Sequence, residues 1–120
     1  MHHVGEVMNR KYTVFAVDFD GTLCESVFPG IGAPNMFLIR YLIAKRASGD
    51  KVILWTCRCN DRLKEAVDFC QKYGLEFDAV NENLAELVDF WGGDPRKISA
   101  DVYIDDKAVN KPKWRVPYKE

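Results

Sequence analysis

The sequence predicts an α/β fold, a central parallel sheet with helices on both faces, in a single domain spanning residues 1–120. Three observations lead there. Short apolar runs alternate with longer stretches of helical periodicity, the pattern of strand–helix–strand units joined by right-handed crossovers. Three of the four apolar runs stop abruptly in polar residues, as buried parallel strands do at the rim of their sheet. The chain has 120 residues and 48% hydrophobic content, enough to bury one core without disulfides or a structural metal.

Taken in order, residues 1–11 are polar and aperiodic and read as a flexible lead-in, with His2 and His3 inert. Val14 to Val17 is an apolar, β-branched-rich strand that ends at Asp18-Phe19-Asp20-Gly21-Thr22. Residues 23–34, punctuated by Pro29, Gly30, Gly32 and Pro34, are expected to form a flap over the end of that strand. Asn35 can cap a helix whose core face would hold Phe37, Ile39, Leu42 and Ile43, with Lys45 and Arg46 in its last turn and Gly49 as its stop. A second strand, Val52 to Trp55, ends in Thr56-Cys57-Arg58. Asn60 or Asp61 can cap the next helix, which carries Leu63, Ala66, Val67 and Cys70 on one face and closes at Gly74. Phe77 to Val80 makes a third strand. Asn81 or Asn83 then starts a helix with Leu84, Leu87, Val88 and Trp91, ended by Gly92-Gly93. A loop with Pro95, Arg96 and Lys97 feeds the last strand, Val102 to Ile104, which runs into Asp105-Asp106. Residues 111–120 form a basic tail, in which Trp114 and Val116 are expected to pack back on the domain.

Composition narrows the functional classes. A net charge of −1 gives no global attraction to nucleic acid or to an acidic partner. No apolar run is long enough to span a bilayer, and no secretory signal is expected. Cys24, Cys57, Cys59 and Cys70 lack the paired spacing of a zinc site and read as reduced thiols in a cytoplasmic protein.

In a parallel α/β sheet, ligands bind outside the carboxyl ends of the strands, near the point where strand order reverses. Asp18, Asp20, Thr56, Asp105 and Asp106 would all gather at that rim, with Lys97 in the loop before the last strand. Two carboxylates two residues apart at a buried strand end repel, so they hold a cation or share a proton. Gly21 lets the backbone come close to whatever they bind.

These residues resemble the four motifs of the haloacid-dehalogenase-type phosphohydrolases, in order over residues 12 to about 110. Asp18-Phe19-Asp20-Gly21-Thr22 is similar to the first motif, Thr56 to the second, Lys97 to the third and Ile104-Asp105-Asp106 to the fourth. Small bacterial and phage members of that superfamily share a Pro-x-Ile-Gly flap, here Pro29 to Gly32. The resemblance implies a three-layer, Rossmann-like fold without a cap domain, and a magnesium-dependent phosphomonoesterase. It implies that Asp18 attacks phosphorus to form an aspartyl-phosphate, and that Asp20 protonates the leaving oxygen and later activates water. Mg2+ would be bound by Asp18, the carbonyl of Asp20 and Asp105, with Asp106 acting through a metal-bound water or positioning its neighbour. Thr56, with Gly21, Thr22 and Arg58 nearby, would bind substrate, and Lys97 would supply positive charge.

Several alternatives stay open. Arg58 can equally be an exposed arginine at a helix start, and Arg96 competes with Lys97 as the catalytic cation, whereas Lys107 is expected to be carried away from the phosphate. Cys57 and Cys59 read as small fillers near the site. A phosphate-binding or scaffolding protein without turnover is one rival function, and a receiver domain is another. Small phosphorylated substrates are the expected partners, a nucleic-acid end is the alternative, and an oligomer can complete an open site.

Overall fold

The computed structural model describes residues 11–107. The lead-in histidines and the basic tail lie outside the described residues. Four strands, β1 (Val14–Val17), β2 (Lys51–Leu54), β3 (Ala79–Val80) and β4 (Val102–Ile104), alternate with three helices, α1 (Met36–Ala47), α2 (Asn60–Lys72) and α3 (Ala85–Trp91). All pairings are parallel, in the order β3-β2-β1-β4. The chain therefore builds outward from β1 to β3 and then crosses back to lay β4 on the other side of β1. The strand order reverses between β1 and β4.

The alternation of side chains along the strands splits the core in two. Phe15 and Val17 face one way with Val52 and Leu54, covered by Ile39 and Leu42 of α1 and by Ala66 and Cys70 of α2. Val14, Ala16 and Ile53 face the other way, covered by Leu84 and Leu87 of α3 and by Ile98 of the following loop. Helices thus lie on both faces. Among the described residues no helix is long and apolar enough to cross a membrane.

Four local expectations differ from what is observed. Phe37 is 84% exposed, because the buried stripe of α1 runs through Ile39 and Leu42, and a residue two before Ile39 points to the opposite side. The α2 helix is preceded by Cys59 without a side-chain cap, and Asn60 is already inside it. Similarly, α3 starts after Leu84 rather than after a capping asparagine. β3 is shorter than expected because Asp78 replaces it at its start. Its carboxylate accepts from the Val52 N–H at 2.7 Å and from Nε and Nη2 of Arg46 at 3.1 and 2.9 Å. Burial works to raise the Asp78 carboxyl, but these donors outweigh it and hold it below its ordinary value. Asn35 does cap α1, accepting from the Leu38 N–H, and Gly92 closes α3 in the left-handed conformation.

Candidate active site

The carboxyl ends of β1 and β4 meet because the Asp18 N–H continues the ladder, donating to the Ile104 carbonyl at 2.9 Å. That register brings the carboxylates of Asp18, Asp105 and Asp106 together, with one oxygen of each within 4.8 Å of the others. The cluster sits where the strand order reverses, the position expected for a ligand in an open parallel sheet. Asp18 is half-buried. Burial pushes its carboxyl up to about 6, the Phe19 N–H pulls the other way, and the charges of Asp105, Asp106 and Asp20 add to the rise. Three hard oxygen donors of like charge in one place suit a divalent cation such as Mg2+.

The loop after β1 is built to press against this cluster. Gly21 has φ +82°, and a Cβ there would lie 2.5 Å from Oδ2 of Asp106. Any side chain would therefore push the acid aside, and the left-handed backbone favours glycine as well. Thr22 is buried, and its hydroxyl accepts from the Asp106 N–H at 3.1 Å. Its hydroxyl oxygen thus helps to hold β4's loop against β1's, a structural part beside the expected contact with substrate. Gly21 borders the site as expected, although what it approaches is Asp106 itself.

Asp20 is turned away from the cluster. Both of its oxygens accept from Arg58, from Nε at 2.8 Å and from Nη2 at 2.7 Å. The Arg58 side chain is only 1% exposed. Its remaining donors reach the flap carbonyls of Gly30 at 2.7 Å and Pro29 at 3.3 Å. The guanidinium also lies over the rings of Phe19 and Phe28, at 5.1 and 4.9 Å from their centroids. This overturns the reading of an exposed arginine and removes Arg58 as a free substrate ligand. A bidentate fork to a carboxylate, buried under a flap, is a structural clasp. With Asp20 held there, the side chains gathered into the metal-type cluster are Asp18, Asp105 and Asp106.

The flap is a closed hairpin-like loop. Its arms are joined by the Glu25 N–H to the Ala33 carbonyl and the Asn35 N–H to the Leu23 carbonyl, at 2.9 and 2.8 Å. Gly32 allows this approach, since a Cβ there would lie 2.6 Å from Cβ of Glu25. No inserted lid separates the flap from α1.

Thr56 lines a cavity of about 220 Å³ with Asp18, Trp55, Cys57 and Asp105. Its hydroxyl accepts from the Arg58 N–H at 3.1 Å, and its own N–H donates to Oδ1 of Asn81 at 2.8 Å. Asn81, with φ +55°, is a positioning residue that sequence reasoning missed. Asn83 is another. It is buried, donates to Asp94, Pro95 and Lys97, and accepts from the Ser99 N–H. The signal for both is an Asn-x-Asn directly after a strand, which reads as helix capping and is used instead to pin loops.

Lys97 is not brought to the acids. Its ammonium lies over the Tyr103 ring, 6.0 Å from the centroid, and the side chain does not line the Asp18 cavity. Lys107, expected to point away, has its Nζ 3.9 Å from Oδ2 of Asp106, because the chain turns at once after β4, with the Lys107 N–H donating to Asp105. Arg96 is exposed. Cys57 and Cys59 are exposed free thiols, and Cys24 and Cys70 are buried ones; burial pushes the Cys70 thiol up to about 12.

No family model matches the chain, and no curated protein matches it. Among solved structures, it is similar to that of a conserved protein from Bacteroides thetaiotaomicron, with a TM-score of 0.73 and 36% sequence identity, over 91% of this chain and 88% of that one. At that identity, and over nearly the whole of both chains, the protein belongs to the same family as this conserved Bacteroides protein.

Proposed function

We propose that the chain is a cap-less hydrolase of the haloacid-dehalogenase type, a Mg2+-dependent phosphomonoesterase working through an aspartyl-phosphate. The observation that supports this reading most is the trio of carboxylates, Asp18, Asp105 and Asp106, within 4.8 Å of one another at the point where β1 and β4 part. Asp18, Asp105 and Asp106 are the side chains that would hold the ion. Bound there, Mg2+ would neutralise phosphoryl oxygens so that an anionic carboxylate can approach them. Asp18 is the nucleophile: it lines the cavity with Thr56 and Asp105, and it is the acid that the resemblance to the first phosphohydrolase motif puts in that role. Thr56 holds a phosphoryl oxygen through its hydroxyl proton, its oxygen being anchored by the Arg58 N–H. Asp20 serves as the proton carrier only when Arg58 releases one of its oxygens, because both are engaged in the clasp. Lys97 or Arg96 supplies positive charge only after a movement of the loop that carries them. The free cysteines agree with a cytoplasmic location, and small phosphomonoesters are the substrates an open site favours.

The test is release of inorganic phosphate from an aryl phosphate by the purified protein, with and without Mg2+, and with Asp18→Asn as the blank. Metal-dependent turnover lost in Asp18→Asn supports the reading; equal turnover in the variant removes Asp18 as the nucleophile. The clasped Asp20 favours one second reading, a phosphate-binding protein without turnover. Saturable phosphate binding with no hydrolysis would establish it.

A further inference from the structure

We infer that Trp55 and Tyr103 form a stacking platform for the planar ring of the substrate's alcohol portion, which makes the substrate class an aromatic phosphomonoester, either a nucleotide or an aryl-type ester. The placement of the phosphoryl end rests on the phosphohydrolase reading above; the ring site does not.

The cavity beside Asp18 is lined by residues of unlike character. Asp18, Asp105 and Thr56 bring polar groups to it, and Trp55 and Cys57 complete the lining. Such a cavity fits a ligand that is charged at one end and apolar at the other. Of two further cavities, one of about 300 Å³ borders the flap and one of about 230 Å³ lies between Asp105–Asp106 and the start of α1; neither is lined by an aromatic residue.

The sheet explains why two rings from non-adjacent strands meet here. Ile53 of β2 and Tyr103 of β4 both stand opposite Ala16 of the intervening β1. Trp55 lies two residues beyond Ile53, on the same face. Because Ala16 is small, the two rings reach over it, with centroids 5.7 Å apart and planes inclined at 55°. Each residue stays 39% exposed. The Tyr103 ring is fixed through its hydroxyl, and the main chain beneath Trp55 is fixed by the sheet. The backbone N–H of Trp55 donates to the Val17 carbonyl, and the Tyr103 hydroxyl donates to the Ile98 carbonyl at 2.6 Å and accepts from the Ala100 N–H at 3.2 Å. Tyr103 therefore offers its ring and not its polar tip, and Lys97 lies against that ring. Rigid aromatic faces beside a phosphate site hold planar groups by offset stacking, and discriminate poorly among saturated ones.

The experiment compares matched esters that share a primary leaving alcohol. One arm sets adenosine 5′-monophosphate against ribose 5-phosphate. The other sets benzyl phosphate against cyclohexylmethyl phosphate. In the Mg2+-loaded protein each planar ester should be favoured in kcat/KM by about tenfold, the scale of one base–aromatic stack. Trp55→Leu should collapse that ratio towards one, and Trp55→Phe should restore most of it. Tyr103→Leu provides the same comparison if Trp55→Leu fails to fold. The arm with the larger ratio identifies the source, nucleotide or aryl ester. Calorimetry with adenosine alone reads the platform without turnover, and its affinity should fall at least about fivefold in Trp55→Leu. Ring-dependent binding with no hydrolysis of any ester would keep the platform and sink the phosphatase reading. Hydrolysis with planar and puckered rings treated alike, in wild type and variants, would overturn the platform and keep the phosphatase. Neither binding nor hydrolysis would overturn both.

Discussion

Replacing Arg58 with alanine should be among the most damaging single changes in the molecule, although Arg58 does not line the cavity beside Asp18. The substitution removes two charge-assisted bonds to Asp20 and two bonds to flap carbonyls, and it empties a site that is 1% exposed. Breaking a buried ion pair from one side costs about 3–5 kcal/mol. Asp20 keeps 23% of its side chain in contact with solvent, and water relieves the orphaned charge in part, so the low end, about 3 kcal/mol, applies. For a domain of this size that lowers the melting temperature by about 12–24 °C and removes a large share of a total stability of about 5–15 kcal/mol. Arg58→Lys keeps the charge but not the planar fork, and should recover less than half of the loss. Asp20→Asn should cost less than Arg58→Ala, since the guanidinium still has its flap carbonyls. Thermal melts by far-UV circular dichroism and urea titrations of the two single variants and the double variant measure this. A melting point for Arg58→Ala within about 2 °C of wild type, or strictly additive losses in the double variant, would refute the clasp.

Three further outcomes are expected. Asp18 carries a carboxyl raised to about 6 from an ordinary 3.8, so the folded state holds that proton longer than the unfolded one; its contribution to stability falls as pH rises from about 4 to 6. The metal-free wild type should accordingly lose melting temperature relative to Asp18→Asn over that interval, and parallel pH curves would count against it. Gly21→Ala places a Cβ 2.5 Å from Asp106 in a backbone of φ +82°; it should cost about 1–3 kcal/mol and weaken the rise in melting temperature that millimolar Mg2+ gives wild type, while an unchanged Mg2+ response would detach Asp106 from the cation. Asn83→Ala strips a buried hub of three donated bonds and one accepted bond and should cost about 2–3 kcal/mol, read by urea denaturation; a loss below about 0.5 kcal/mol would mean that the 94–99 loop holds itself.

What was legible in the sequence was local. β1 and β4 declare themselves as apolar runs that end in acids, and their parallel pairing follows from the strand–helix alternation, so the meeting of Asp18 with Asp105 and Asp106 could be anticipated. The clasp could not. Arg58 and Asp20 are 38 residues apart, and nothing near either one distinguishes a buried fork from a solvated side chain. The same holds for Asn81 and Asn83, whose partners lie on loops that only the fold brings near. Phe37 is apolar but out of phase with Ile39 and Leu42, and apolar content alone does not show which side of a helix a residue takes. Lys107 stays beside the acids because the chain turns at once after β4, held by the local bond from the Lys107 N–H to Asp105, whereas Lys97 lies against the Tyr103 ring; neither direction is written in the local sequence.

Arg58 grips the flap through the carbonyl oxygens of Pro29 and Gly30, and every amino acid supplies a carbonyl oxygen. The outward side chains at Val27 and Phe28, 54% and 60% exposed, are therefore free to diverge among descendants of this gene without breaking those two bonds. Replacing Phe28 forfeits one ring contact with the guanidinium and nothing of the main-chain grip. Such a division lets the outer surface of the loop change by single substitutions while its main-chain attachment stays fixed, whereas Gly32, wedged against Glu25, has no comparable latitude.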